Sequence, residues 1–260
     1  MSLFGKLFGF NKNTTLAPSD ALSTEVNNAF SFLGTDMHSH LLPGIDDGAQ
    51  TIEDSLTLIR GLIALGYTQL ITTPHIKSDI FPNTTAIIQQ ALDTLKAALI
   101  ENEIHIPIRA AAEYYIDDIF MDLLEKEPLL TLSGKELLVE FSFMFEPVRL
   151  PEIIFRIETK GYKPVLAHPE RYPFYHQKYH VFADFKNRGC LLQLNTLSLT
   201  GYYGKPVKDI AERLLQDGLY DYCGTDIHHD RHLINLQKML STKVYTQLMN
   251  YPFQNKNLVL

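Results

Sequence analysis

The stretch Asp36-Met37-His38-Ser39-His40 decides how the rest of the sequence is interpreted. It lies in the first of seven short apolar segments that we predict as β-strands, over Asp36–Leu41. Side chains alternate across a strand, so His38 and His40 project to the same face and can bind one ion together. An isolated His-x-His pair is a weak motif and also occurs in surface loops. The pair alone leaves a metal site and a surface loop as equal alternatives.

Beyond this stretch, short runs rich in Ile, Leu and Val alternate with longer segments of helical periodicity. This alternation is typical of successive βα units around a parallel sheet. Thr51, followed three residues later by Asp54, predicts the N-terminal cap of the first helix. The remaining strands are predicted near Gln69–Thr73, Ile108–Glu113, Leu137–Phe141, Pro164–Ala167, Leu191–Leu194 and Tyr220–Gly224. Further helices are predicted over Thr84–Ile100, Asp117–Glu125, Pro151–Lys160, Val181–Arg188, Lys205–Gln216 and Leu233–Leu248.

Seven βα units in a chain of 260 residues favour a closed or nearly closed α/β barrel that resembles a TIM barrel. An open, doubly wound sheet has the same local pattern, so periodicity alone does not choose between the two architectures. In both of them, functional side chains gather at the carboxyl ends of the strands. The position of the polar residues is therefore more informative than the periodicity.

Composition limits the classes of function. The chain has 23 Lys and Arg against 30 Asp and Glu, and its formal net charge of -7 argues against a nucleic-acid partner. Cys190 and Cys223 lie far apart without paired-cysteine spacing, which argues against a disulfide framework or a cysteine-type zinc site. Without an apolar run of membrane-spanning length, we expect a cytoplasmic protein in a reducing compartment.

The N-terminal region is predicted to precede the folded domain. We expect a tail and linker over residues 1–20 and a single folded domain over residues 21–260. Met1–Phe10 carries leucines and phenylalanines around Lys6 but no secretory signal pattern. At most it makes peripheral contact with a membrane, and a mobile terminus or an oligomer contact is the alternative.

Histidines and carboxylates recur at the predicted strand ends. Six of the seven strands end in such a residue, and burying Glu113 after three alanines or Glu140 between Val139 and Phe141 would be costly without cations nearby. With Asp47 from the loop after the first strand, the carboxylates number four and the histidines five. Several divalent ions are needed to keep such a cluster together. Nitrogen and oxygen ligands without thiolates suit zinc, manganese or iron, and hydrolysis with a metal-activated water is the natural chemistry.

The order of these residues resembles the nine-ligand pattern of the PHP (polymerase and histidinol phosphatase) superfamily. All nine positions match: His38, His40, Asp47, His75, Glu113, Glu140, His168, Asp226 and His228. The strings His38-Ser39-His40-Leu41-Leu42-Pro43-Gly44-Ile45-Asp46-Asp47-Gly48 and Ala167-His168-Pro169-Glu170-Arg171-Tyr172 are similar to those of CpsB/YwqE-type bacterial protein tyrosine phosphatases. The resemblance spans about Thr35 to Leu240 and implies the PHP fold, a distorted (β/α)7 barrel.

The resemblance also implies the organisation of the site. One ion would be held by His38, His40, Glu113 and Asp226, a second by Glu113, Glu140 and His168, and a third by Asp47, His75 and His228. Two or three divalent ions are thus expected, manganese first, with iron, zinc or magnesium as alternatives. Arg171, Asp226 and His228 are the expected catalytic residues. Arg171 would contact the phosphate, whereas a salt bridge to Glu170 is its alternative role.

The substrate implied is phosphotyrosine in the tail of a bacterial tyrosine kinase that controls capsule and exopolysaccharide synthesis. A small-molecule phosphatase of the histidinol-phosphatase type and a non-catalytic regulatory PHP barrel are the alternatives. A cysteine-dependent mechanism is excluded, because Thr196 and His229 stand where an arginine would follow each cysteine. The loops after the strands also carry tyrosines that would either stack on a phosphotyrosine ring or pack at the rim: Tyr114, Tyr115, Tyr172, Tyr175, Tyr202 and Tyr203.

Overall fold

The structure is a computed structural model that describes residues 28–126 and 128–258. The predicted tail and linker over residues 1–20, the segment Met1–Phe10 and the first residues of the predicted domain lie outside the described residues. Among the helices of the described ranges, none combines the length and the apolar character that a membrane crossing requires.

All strand pairs within the two described sheets are parallel, which confirms the predicted α/β class. One sheet has the order β1-β2-β4 and the other the order β3-β5-β6-β7-β8-β9. The strands are β1 Thr35–Asp36, β2 Gln69–Thr72, β3 His75–Ile76, β4 Ile108–Ala110, β5 Glu113–Tyr115, β6 Glu136–Glu140, β7 Lys163–Ala167, β8 Leu191–Asn195 and β9 Tyr222–Gly224.

Backbone hydrogen bonds connect the two sheets at both of their margins. Ala111 N donates to Thr72 O over 2.9 Å and Glu113 N donates to Pro74 O over 3.1 Å, which joins the β2–β4 pair to the β3–β5 pair. On the other side, Asp226 N donates to His38 O over 2.8 Å. The result is a parallel sheet that curls into a half-barrel.

One difference from the prediction is that the segment Ile108–Glu113 is not a continuous strand. It divides into β4 and β5, and Pro74 separates β2 from β3 in the neighbouring segment. Proline has no backbone N–H to donate, so a regular ladder is interrupted beside it. Directly after the interruption, His75 and Glu113 begin β3 and β5 as paired neighbours.

The helices follow the strands as the periodicity predicts. They are α1 Ile52–Ala64, α2 Thr85–Glu101, α3 Asp118–Lys126, α4 Leu150–Thr159, α5 His180–Asn187, α6 Lys205–Gln216, α7 Asp230–Met239 and α8 Lys243–Asn250. The predicted cap of α1 is confirmed as a capping box. Thr51 Oγ1 accepts from Asp54 N, and the Asp54 side chain accepts from Thr51 N.

The prediction of a single helix over Leu233–Leu248 is wrong, because the helical conformation is interrupted between α7 and α8. Ser241 Oγ donates to Lys238 O and Thr242 Oγ1 donates to Met239 O, and Thr242 has extended backbone angles. Side-chain hydroxyls that bond to nearby carbonyls compete with the helical ladder. The apolar periodicity continues across the break, which is why the sequence pattern does not reveal it.

Burial on both faces explains the composition of the strands. Leu137, Leu138 and Leu192 are fully buried, as expected for parallel strands covered by helices.

The backbone just after α1 is closely packed at Gly66. Gly66 has φ +99°, and a Cβ on it would lie 2.6 Å from Asn28 Cα, so glycine is required there.

Candidate metal centre

The nine residues of the sequence pattern meet at the carboxyl ends of the strands. His38 and His40 follow β1, His75 and Glu113 begin β3 and β5, Glu140 ends β6, His168 follows β7, Asp226 and His228 follow β9, and Asp47 lies in the loop before α1. Eight of the nine, all except His168, contribute donor atoms to three groups in which every pair of atoms lies within 4.8 Å: His40, Asp47, His75 and His228; His38, His40, Glu113 and Asp226; and His75, Glu113 and Glu140.

The innermost group has the dimensions of a tetrahedral site. His38 Nε2 and His40 Nε2 lie 3.4 Å apart, and each lies 3.4 Å from Asp226 Oδ1. Glu113 Oε2 lies 3.3 Å from His38 Nε2 and 3.5 Å from His40 Nε2. Ligands about 2.1 Å from one tetrahedrally coordinated ion are separated by about 3.4 Å. All four residues are buried, so this group is shaped to enclose one divalent ion.

A second group lies closer to solvent. His75 Nε2 and His228 Nε2 each lie 3.4 Å from Asp47 Oδ1. The Asp47 side chain is 57% exposed, whereas those of His75 and His228 are 13% and 15% exposed. An ion in this group would therefore be accessible to a substrate that enters from the mouth of the half-barrel.

The third group consists of His75, Glu113 and Glu140. The resemblance instead implies a set of Glu113, Glu140 and His168. His75 Nδ1 lies 3.1 Å from Glu113 Oε2 and 3.2 Å from Glu140 Oε1. His168 Nε2 lies 3.0 Å from Glu113 Oε1 but 3.9 Å from Glu140 Oε2. His75 thus stands between two groups, with one ring nitrogen toward each, and His168 adjoins the third group through Glu113.

Outer partners fix the orientation of the histidines. His38 Nδ1 lies 3.0 Å from Gln193 Oε1, and His40 Nδ1 lies 2.8 Å from Asp46 Oδ2. When Nδ1 donates to such an oxygen, Nε2 is left unprotonated and available as a ligand. Asp46 also accepts from Gly48 N and His75 N, so it anchors the loop to the cluster.

Charges within the cluster balance one another. Burial alone would raise the pKa of Glu113, but His38 and His75 hold it well below its usual range. Burial alone would lower the pKa of His75, but Glu113 and Glu140 raise it to about 9. In the metal-free cluster Glu113 is thus ionised and His75 is protonated, and a divalent cation would take the place of the His75 proton.

Unsatisfied buried atoms support a metal site. Glu113 Oε2, His75 Nδ1 and His168 Nδ1 are buried in the described part of the chain without a hydrogen-bond partner of acceptable geometry. Buried polar atoms in folded proteins are normally hydrogen-bonded, and a metal-binding role is one of the recognised explanations for exceptions. The donor set therefore fits divalent metal ions bound through nitrogen and oxygen.

Arg171 reaches the cluster from the turn after β7. Its Nη1 donates to Asp226 Oδ2 over 2.9 Å, and the expected alternative, a salt bridge to Glu170, is not the arrangement found. Glu170 is instead fully buried and accepts from Asn195 N, Ser198 Oγ and Tyr220 Oη. The Glu170 carboxylate thereby ties the turn that carries Arg171 to the end of β8.

Backbone strain and close packing occur at residues of the candidate metal centre. Five residues other than glycine have positive φ in the described ranges, and two of them are His168 (φ 35°) and Asp226 (φ 50°). Such conformations cost about 1–3 kcal/mol each and persist where the surroundings fix them. Behind the cluster, a Cβ on Gly224 would lie 2.6 Å from His38 Cβ, so the strand approaches this histidine as closely as glycine permits.

The pattern of histidines and carboxylates does not reveal the contribution of β8, which corresponds to the one predicted strand without such a residue at its end. Gln193 accepts from the His38 ring, and Asn195 Nδ2 donates to Asp226 Oδ2 over 2.7 Å. Both residues are fully buried. The signal was present in the stretch Leu191-Leu192-Gln193-Leu194-Asn195, where amides alternate with leucines in an otherwise apolar strand.

Comparison with known proteins identifies the family. The sequence profile of the family described as capsular polysaccharide synthesis, CpsB/CapC, matches residues 34–248. Tyrosine-protein phosphatase YwqE of Bacillus subtilis is 30% identical over 195 residues, which are 75% of this chain and 77% of YwqE. Tyrosine-protein phosphatase CpsB of Streptococcus agalactiae is 26% identical over 200 residues, which are 75% of this chain and 82% of CpsB.

A solved structure agrees with both the sequence match and the fold. It comes from a study of YwqE from Bacillus subtilis and CpsB from Streptococcus pneumoniae, described there as unique metal-dependent tyrosine phosphatases. The TM-score is 0.71 at 28% sequence identity, and the match covers 87% of this chain and 96% of that one.

Proposed function

Because the chain belongs to the CpsB/CapC family of capsular polysaccharide synthesis, we propose that it is a metal-dependent protein tyrosine phosphatase. The observation that carries this proposal is the near-tetrahedral set of His38, His40, Glu113 and Asp226, buried beside Arg171. Relatives whose names state tyrosine phosphatase activity match most of the chain, and the family match over residues 34–248 includes all the segments that supply these residues.

The fold that we propose at the finer level is the distorted (β/α)7 barrel of the PHP superfamily. If β2 with β3 and β4 with β5 are each counted as one interrupted strand, seven strand positions follow one another along the chain. The Ser39–Ile227 bridge and the hydrogen bond from His40 N to Ile227 O support closure between the first and last positions.

We propose that two or three divalent ions are bound by the nine residues named above. His38, His40, Glu113 and Asp226 would hold one ion, and Asp47, His75 and His228 another nearer the mouth. Glu113, Glu140 and His168 would hold a third, with Glu113 shared. We expect manganese, and iron, zinc or magnesium are the alternatives, because mixed nitrogen and oxygen ligands suit all of them.

In the proposed reaction, bound ions would supply an activated water molecule and offset the charge of the phosphoryl group. The protein's own residues orient the phosphate. Arg171 carries a guanidinium fork that matches two phosphate oxygens, and Asp226 fixes one of its nitrogens. Tyrosine ionises near pH 10, so its phenolate leaves with less help from an acid than a serine alkoxide would need. Arg171, Asp226 and His228 are the proposed catalytic residues.

The cysteines do not offer a competing nucleophile. Cys190 and Cys223 are both buried and unpaired. Burial raises the pKa of Cys190 to about 12 and also raises that of Cys223, so neither thiol is ionised near neutral pH. Two free thiols fit the reducing, cytoplasmic compartment that we propose.

The proposed partner is a phosphotyrosine protein, specifically the tail of a bacterial tyrosine kinase that acts in capsule synthesis. The family description supports the link to capsule synthesis. A tail can reach a site at the mouth of the half-barrel, where the partly exposed Asp47 and His228 lie.

The test is hydrolysis of phosphotyrosine peptide, phosphoserine peptide and histidinol phosphate by the manganese-loaded protein and by the same protein after chelation. We expect turnover of the phosphotyrosine peptide with manganese and its loss on chelation or in Asp226→Ala. Cys190→Ser is the matched control and should retain activity. Preference for histidinol phosphate would instead support the small-molecule phosphatase, and lack of all three activities would support a regulatory barrel.

A further inference from the structure

Arg171 is held between two aromatic rings. Its guanidinium carbon lies 4.5 Å from the centroid of the Phe143 ring and 4.1 Å from the centroid of the Tyr203 ring. Phe143 follows β6, whereas Tyr203 lies just before α6. The two rings therefore come from distant parts of the chain and both contact this guanidinium.

Each ring is fixed by contacts of its own. Phe143 stacks on Tyr172, with ring centroids 5.5 Å apart, and Tyr172 is fully buried. Tyr203 Oη accepts from Asn195 Nδ2 over 3.2 Å, and the same amide donates to Asp226 Oδ2. The rings are thus rigid supports rather than mobile covers.

The guanidinium of Arg171 is oriented by a hydrogen bond but remains partly exposed to solvent. Its Nη1 atom donates to Asp226 Oδ2, and the Arg171 side chain keeps 21% of its surface exposed. A long arginine side chain loses rotamer freedom whenever it engages a ligand. Where the protein has already restricted it, binding of an anion costs less conformational entropy.

From this geometry we propose that Phe143 and Tyr203 are positioning residues that hold Arg171 ready to bind the phosphate of the substrate. The inference rests on the proposed function, because it gives Arg171 the role of phosphate ligand. It gives Tyr203 a more specific role than the two that the sequence suggests for the loop tyrosines, which are stacking on the substrate ring and packing at the rim. Instead of stacking on the substrate ring, Tyr203 packs on the arginine.

The test measures binding of inorganic phosphate to the manganese-loaded protein by calorimetry, with metal content and melting temperature recorded for every variant. Cation–π contacts of this kind correspond to roughly a threefold to tenfold change in affinity per ring. We therefore expect Tyr203→Leu and Phe143→Leu each to weaken phosphate binding by about that factor. Tyr203→Phe keeps the ring and should stay within about twofold of the parent protein.

The matched control is Tyr179→Leu. Tyr179 stacks on Arg213 with a guanidinium-to-centroid distance of 3.5 Å, in a pair formed by α6 and the residue before α5. Neither residue contributes to the metal groups. Loss of this ring should leave phosphate affinity unchanged, although it removes the same kind of contact.

A double-mutant cycle separates positioning from general loss of structure. In an Arg171→Ala background, Tyr203→Leu should weaken phosphate binding no further, because the group that it positions is gone. An equal loss in both backgrounds, or unaltered binding in both leucine variants, would overturn the inference. If the cycle behaves as expected but no phosphate ester is hydrolysed, the inference stands and the proposed function fails. If the parent protein does not bind phosphate, both fail.

Discussion

At the scale of single residues, the site depends on groups that do not themselves ligate. Asp46 and Gln193 each accept from the outer nitrogen of a histidine, and Asn195 saturates one oxygen of Asp226 so that the other faces the histidine pair. Such partners fix the tautomer and the direction of each ligand. The metal affinity of the cluster should therefore change when a residue that hydrogen-bonds to a proposed ligand is substituted.

Asp46→Asn tests this dependence. The substitution keeps the shape of the side chain but removes the charge that orients His40, so manganese affinity should fall by about 10- to 100-fold. Asp93→Asn, on the exposed face of α2, is the control and should bind manganese like the parent. Titration calorimetry of the metal-free protein measures both, and equal affinities would contradict the role of Asp46.

Gly224→Ala tests the close packing behind His38. The added methyl group would lie 2.6 Å from His38 Cβ and 2.9 Å from Gln193 Nε2, so one of these side chains must move. We expect loss of metal from the innermost group, measured as metal content per chain after dialysis. Gly134→Ala, where the added Cβ meets nothing within 4 Å, is the comparison, although its φ of +52° adds some backbone strain. Full metal content in Gly224→Ala would contradict the packing argument.

At the scale of elements, the ends of strands and helices position the residues of the candidate site. Most ligands lie at or just after the carboxyl end of a strand, whereas His75 and Glu113 begin the short strands β3 and β5. Helix α1 starts directly after the loop that carries Asp46 and Asp47. The capping box at Thr51 fixes where this helix begins and so limits how far the loop can move. The N-terminal cap of α1 therefore contributes to the geometry of the site as well as to stability.

Thr51→Ala should lower the free energy of unfolding by about 1 kcal/mol, because the Asp54 N–H loses its side-chain partner. Thr57→Ala, at an exposed position within α1, is the matched control and should be neutral or slightly stabilising. Urea unfolding of the metal-free protein gives both values. If the two variants have the same midpoint, the cap contributes nothing measurable.

At the scale of the whole molecule, the cluster joins segments from nearly the full length of the described chain. His38 and Asp226 are neighbours in space and lie at opposite ends of the curled sheet. An ion bound to both residues would link the first and last segments of the half-barrel, and this site exists only in the folded state. Binding and folding are therefore coupled.

Manganese should raise the melting temperature and a chelator should reverse the change. At a metal concentration about 100 times the dissociation constant, one site contributes about 2.7 kcal/mol, equivalent to roughly 5–10 °C for a domain of this size. Differential scanning calorimetry measures the effect, and His38→Ala should respond less. An identical transition with and without manganese would argue against a metal centre.

Alkaline pH should destabilise the fold. Burial raises the pKa of Cys190 and of Tyr251 to about 12 each, above the usual values of 9.0 and 10.0. The folded state therefore keeps protons that the unfolded state releases, and this contribution is complete below about pH 9 and declines toward pH 12. Urea midpoints at pH 8 and pH 11 test the sign, and Cys190→Ala should reduce the difference. A midpoint that rises with pH would contradict it.

The sequence alone determined the features that repeat locally. Strand and helix positions follow from apolar periodicity, and the ligand types are visible because histidines and carboxylates interrupt apolar strand ends, as at Glu113 and Glu140. Only the tertiary structure decided which atoms face one another. It placed Arg171 on Asp226 rather than Glu170, gave His75 two neighbouring groups, and brought Asn195 and Tyr203 to the site. The physical reason is that local periodicity fixes the face on which a side chain lies, whereas the distances between side chains from separate strands depend on how the whole sheet curls.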